Sequence, residues 1–119
     1  MDELRQVTVT PDRYVTYLYA GASGDFNPIH LDDEFARSVD LPSKILHGLW
    51  TMAQVARAQT DVVGDPLALK SLSVQFRGMG VPEKEITITS KPRGDGEFDT
   101  EAVQDGNKLV RRGKAVLRI

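Results

Sequence analysis

Not one of the 119 residues is cysteine, so neither disulfides nor thiolate-bound zinc can hold the chain together, and a reducing setting, the cytoplasm, is expected. Long apolar runs are also missing. No stretch approaches the ~20 residues that span a bilayer, and the opening MDELRQVTVTPDR lacks the charged-then-apolar pattern of a signal peptide. Neither membrane association nor export is expected. No sign of charge dominates: 15 basic against 17 acidic side chains leave a formal net charge of -2, with no electrostatic footprint for a nucleic acid. Internal repeats, linkers and low-complexity segments are absent. At 40% hydrophobic residues, the length suits one soluble domain over residues 1–119, with one core and one site.

What is present is a change of period along the chain. Residues 4–10, LRQVTVT, alternate loosely and are rich in β-branched types, which predicts a short edge strand. Thr10, Pro11 and Asp12 supply a cap, a first-turn proline and an acid, so a helix is expected to start there. Its apolar face is expected to carry Tyr14, Leu18 and Ala22, with Val15 and Tyr19 beside them, until the Gly21–Gly24 region ends it. Residues 24–30 contain Pro28 and read as a fixed irregular loop. A second short helix follows from Asp32 or Asp33.

From Gly48 to about Val63 the chain is apolar on nearly every side, broken only by Arg57 and Asp61 as charges. Such a helix is expected to be buried, with something wrapped around it. Residues 69–77, 85–91, 98–104 and 108–119 then show the two-residue period of half-buried strands, the last two joined by a hairpin at Asp105-Gly106. A curved antiparallel sheet folded around a central helix, an α+β hot-dog architecture, satisfies both periods. A generic α+β sandwich with its helices on one face remains the alternative from pattern alone.

Only two histidines are available for proton chemistry near neutral pH. Asp25 and His30 are five apart, about 140° around a helix and on opposite faces of a strand, so only a turn brings them together. Gly24-Asp25-Phe26-Asn27-Pro28 is suited to make one. A carboxylate and an imidazole aimed at one point can move protons on and off water. The structural alternative leaves Asp25 capping the turn and His30 packing against Phe35.

Residues 19–38, YAGASGDFNPIHLDDEFARS, resemble the hydratase-2 signature of MaoC-like enzymes, with G-D-x-N-P, an aliphatic residue and His in order. Ile45-Leu46-His47-Gly48-Leu49 is similar to that family's next landmark, an H-G pair opening the central helix. The resemblance implies a hot-dog fold and (R)-specific hydration of trans-2-enoyl thioesters to (R)-3-hydroxyacyl thioesters, or the reverse dehydration. It also implies roles: Asp25 and His30 as the catalytic pair, Asn27 orienting the site, and Gly48 binding the thioester oxygen through its N–H. Chemically, an enolate-like oxyanion needs a donor, and glycine at a helix N-terminus allows close approach. No metal or cofactor is required, the CoA or carrier-protein thioester being the substrate.

His47 is read as a structural histidine bonding nearby backbone, against a catalytic or metal-binding role; the two histidines lack the short helical spacing of common zinc motifs. Asp32, Asp33 and Glu34 are read as helix-start acids. Trp50, Met52 and Phe76 are either core or the lining of an acyl tunnel. Lys70, Arg77, Lys91 and Arg93 are candidates to meet a phosphate or an acidic carrier. Against many relatives of the motif, the segment before the first helix is short, and Gly78-Met79-Gly80-Val81-Pro82-Glu83-Lys84 replaces a Pro-Val-x-x-Gly-Asp-like turn. A homodimer, or a heterodimer with another hot-dog subunit, is expected. Competing functions are an acyl-carrier-protein dehydratase, a non-catalytic hot-dog subunit and, more weakly, a hot-dog thioesterase.

Overall fold

The computed structural model describes residues 4–118. Strands β1 (Arg5–Val9), β2 (Leu69–Phe76), β3 (Ile86–Gly94), β4 (Glu97–Gln104) and β5 (Asn107–Leu117) form one antiparallel sheet, in the order β1-β3-β4-β5-β2. Helices α1 (Val15–Ser23), α2 (Asp33–Ser38) and α3 (Gly48–Val63) and a 3-10 turn at Pro28–His30 precede β2. The hot-dog arrangement expected from the two periods is the one observed, and β1 is an edge strand as its weak alternation suggested.

α3 lays one face on the sheet. Thr51, Val55, Ala58 and Gln59 are its buried residues, and Val55 and Ala58 pack with Ile86, Ile88, Ala102, Leu109 and Val110. The expectation that α3 is enclosed on all sides is not met: Leu49 and Val62 are 61% and 43% exposed. Five strands cover only one side of a cylinder about 10 Å wide. Gln59, wholly buried, carries polarity into this core. Its Nε2 donates to Val55 O and to the hydroxyls of Ser90 and Thr100, while its Oε1 accepts from Arg5 Nη2 and Ser90 Oγ.

Two boundaries differ from expectation. α1 starts at Val15 because Asp12 builds a turn instead of a helix: its Oδ1 accepts from Tyr14 N–H at 2.7 Å and its carbonyl from Val15 N–H at 3.1 Å. The Pro11 carbonyl is taken by Glu83 N–H at 2.8 Å, which ties that turn to the body of the fold. The helix is consequently rotated, burying Thr16 and Ala20 while Tyr14, Leu18 and Ala22 face outward. β3 runs on to Gly94 and β4 begins at Glu97, through a hairpin at Asp95-Gly96. Pro92 is tolerated there because β1 pairs only as far as Ser90, leaving that end of β3 open on one side. The Asp105-Gly106 turn forms as expected, with φ of 50° and 77°. Of the last predicted strand, Ile119 lies outside the described residues.

Candidate active site

Gly24 ends α1 in a left-handed conformation, φ 79°, donating its N–H to Ala20 O. Short polar side chains then fold the chain back on itself. Ser23 Oγ accepts from Asp25 N–H, Asp25 Oδ1 from Asn27 N–H, and Asn27 Oδ1 from Ile29 N–H, each two residues on, at 3.1 to 3.2 Å. Pro28 opens the 3-10 turn that ends on His30. This winding leaves Asp25 Oδ2 free to face His30 Nε2 at 3.8 Å.

That separation is too long for a direct hydrogen bond and suits a bridging water, which at ordinary contact distances would subtend roughly 85° between the two atoms. The environments differ sharply: the Asp25 side chain is 53% exposed and that of His30 9%. His30 Nδ1 lies 2.8 Å from Ile45 O, so that nitrogen carries a proton and the neutral ring presents a bare Nε2 to Asp25. Ile45 is held in turn, its N–H donating to Ile29 O at 2.9 Å. One residue earlier, Lys44 N–H donates to Asp33 Oδ1 at 2.8 Å. That hydrogen bond holds the Asp33 carboxyl below its ordinary pKa, helped by the charges of Lys44 and Arg37 and opposed by desolvation. Of the acidic trio, Asp32 caps α2 through Glu34 and Phe35 N–H, while Asp33 fastens the strand of chain beneath the site.

Gly48 is the first residue of α3, where an N–H has no partner within the helix. A Cβ there would come within 3.3 Å of the Phe76 ring. Gly48, His30, Thr51, Phe76 and Met79 share the lining of a cavity of about 380 Å³. Trp50 and Met52 do not line it. Of the four basic candidates only Arg77 does, and Arg93 is paired with Asp99 at 3.3 Å. Lys91 instead lines a larger hollow of about 510 Å³ on the outer face of the sheet, with Glu101 and Lys114, where neither Asp25, His30 nor Gly48 reaches.

The loop places Asn27 with its carboxamide oxygen inside the turn, exposed beside Asp25. His47 joins the cluster: its Nε2 is 3.0 Å from Asp25 O and its ring stacks on His30 with centroids 3.8 Å apart and planes 20° from parallel. The backbone bond matches the structural reading of this histidine. Asp25, His30 and His47 offer ligand atoms within 4.8 Å of one another, a spacing a metal ion could use. Their directions do not suit one, because near-parallel stacked rings send their in-plane lone pairs side by side instead of toward a common point. The Ile45 carbonyl that sets the His30 tautomer left no trace in the sequence, because a backbone acceptor has no residue signature. Sequence leaves Phe76 as either core or acyl-tunnel lining; its place over Gly48 depends on the end of β2 meeting the start of α3.

The family model for the MaoC like domain matches residues 1–113. The chain belongs to the MaoC-like family. Among curated proteins it is 35% identical over 98 residues to the peroxisomal enoyl-CoA hydratase 2 of Arabidopsis thaliana, covering 81% of this chain and 32% of that protein. It is 43% identical over 74 residues to the fatty acid synthase subunit beta of Aspergillus oryzae, covering 60% of this chain and 4% of that one. The chain thus spans a third or less of the length of these two relatives. A MaoC-like dehydratase from Phytophthora capsici superimposes with a TM-score of 0.87 at 30% identity, over 95% of this chain and 39% of that one. The MaoC-like hot-dog fold therefore rests on sequence and on shape together.

Proposed function

We propose that this MaoC-like chain is a hydro-lyase that adds water to trans-2-enoyl-CoA thioesters to give (R)-3-hydroxyacyl-CoA, or runs the reverse dehydration. The observation that carries the reading is the 3.8 Å gap between Asp25 Oδ2 and His30 Nε2 beside a cavity whose lining includes His30 and Gly48, the first residue of α3. A water held in that gap by both acceptors presents its oxygen to C3. As the O–C3 bond forms, the C2=C3 electrons move onto the thioester oxygen, where the Gly48 N–H stabilises the negative charge. The water gives up one proton to the pair, and C2 takes a proton from it, so hydroxyl and hydrogen add across the bond with no net change in the enzyme. The residues need no cofactor for this step.

The stereochemical outcome and the role of Asn27 as an orienting, substrate-side residue follow from the family motif. The relative named enoyl-CoA hydratase 2 favours CoA as the head group. A carrier-protein thioester is the second reading, favoured by the fatty acid synthase relative. We read residues 1–119 as one hot-dog unit that pairs with a second, in a homodimer or beside a different hot-dog subunit, because β2 is an edge and one side of α3 is uncovered. The cytoplasm is the setting we assign from the lack of cysteine; no helix among the described residues is long and apolar enough to cross a membrane.

The test follows loss of the conjugated enoyl absorbance with crotonyl-CoA and longer trans-2-enoyl-CoAs. Wild-type turnover that falls by at least about a hundredfold in folded Asp25→Asn and His30→Ala variants is expected. Folded wild type that is inert on every chain length would overturn the stand-alone CoA reading in favour of a carrier substrate or a missing partner subunit.

A further inference from the structure

Among the described residues His47 is the one buried titratable side chain that the proposed reaction does not use, and it touches both residues that the reaction does use. Its side chain is 3% exposed. Nε2 lies 3.0 Å from the Asp25 carbonyl oxygen, and since a carbonyl only accepts, Nε2 carries the proton and donates. Its face lies against the His30 ring at 3.8 Å. Tyr19 of α1 packs on the His47 ring, centroids 4.9 Å apart and tilted by 58°. His47 Nδ1 is buried without a partner among the described residues, as are Arg5 Nε and Nη1 and Thr16 Oγ1.

We infer that His47 is a positioning residue that sets the Asp25–His30 separation. Two degrees of freedom would otherwise blur that separation. His30 is held at Nδ1 by Ile45 O, a single contact at one edge of the ring; the stacked His47 ring supports its face against displacement along the ring normal. Asp25 belongs to a half-exposed loop built from short side-chain hydrogen bonds; the His47 donor pins its carbonyl and so the direction from which its carboxylate leaves the backbone. One ring therefore clamps both sides of the gap in which water is held. His47 acts through its neighbours: its one ring donor is spent on the Asp25 carbonyl and its face on the His30 ring.

This inference rests on Asp25 and His30 carrying the proton chemistry, and the experiment separates the two. Steady-state kinetics on crotonyl-CoA are measured for Asp25→Asn, His47→Ala, His47→Phe and His47→Gln, each checked for folding by its thermal melt. Misplaced catalytic groups cost rate without weakening binding, so His47→Ala is expected to lose roughly ten- to hundredfold in kcat with KM within about twofold of wild type. His47→Phe keeps a stacked ring without the donor and should lose less. His47→Gln restores an N–H to the Asp25 carbonyl and is expected to recover most of the loss. If His47→Ala does not fold, the Phe and Gln variants carry the comparison alone, with Gln expected the faster. Wild-type kcat in both His47→Ala and His47→Phe, a loss confined to KM, or a Gln variant slower than Phe would each overturn the clamp. An Asp25→Asn enzyme as active as wild type would instead overturn the reading of the site on which it rests.

Discussion

At Gly48 the protein has room for a backbone N–H and little else. A methyl group there would press on the Phe76 ring at 3.3 Å, a contact the ring can relieve only by shifting. Gly48→Ala is therefore expected to stay folded but lose roughly tenfold or more in kcat/KM, because the displaced ring and added methyl crowd the oxyanion position. Phe76→Leu in the same chain should restore part of the loss in the same assay. Asp33 carries a pH signature. Its pKa is lowered in the folded state by the Lys44 N–H, so its contribution is complete above the unfolded carboxylate value of about 3.9 and is lost as pH falls through the depressed folded value. Thermal melts of wild type and Asp33→Asn should differ at pH 7 and converge in strong acid. A constant gap across that range would mean that the Lys44 bond does not depend on the ionised form.

Between elements, the Gln59 cluster fastens α3 to β3 and β4 with hydrogen bonds to Ser90 and Thr100. Gln59→Leu leaves buried groups without partners and is expected to cost about 2 to 3 kcal/mol in chemical denaturation. Adding Ser90→Ala and Thr100→Val removes the stranded hydroxyls, so the triple variant should recover much of that loss. Element type was readable throughout from period, since alternation marks strands and apolar spacing marks helices. Element ends were less so. Thr10-Pro11-Asp12 has every local feature of a helix start, yet Glu83, 72 positions beyond Pro11, takes the proline carbonyl and turns the same residues into an entry loop. The buried face of α1 moved with that shift, from Leu18 to Thr16 and Ala20.

For the whole molecule, the uncovered side of α3 and the open edge of β2 are where the proposed second hot-dog unit would pack. Leu49, on the side of α3 away from the sheet, is 61% exposed, and Val62, at the helix end on the stripe of Val55, is 43% exposed, apolar area that another chain would remove from water. Sedimentation at micromolar concentration is expected to give a species of twice the 13.2 kDa chain mass. A Leu49→Glu, Val62→Glu variant should sediment as a monomer with its fold retained. A wild type that stays monomeric at about a hundred micromolar would point to a different hot-dog subunit as the partner.

The chain of residues from Gly24 to His30 determined much of its own loop, because the hydrogen bonds accepted by the Ser23, Asp25 and Asn27 side chains each span only two residues and depend on side chains that are visible in order. The period of β2 to β5 and the apolar content of α3 likewise pointed to antiparallel strands packed with a largely buried helix, and left open whether the sheet curls around that helix or lies flat beneath it. Only the tertiary structure decided the 3.8 Å gap, the tautomer of His30 and the place of His47. These depend on the Ile45 carbonyl and the start of α3 arriving beside the loop from 15 and more residues away, and such contacts are made by backbone atoms and packing that no local pattern encodes.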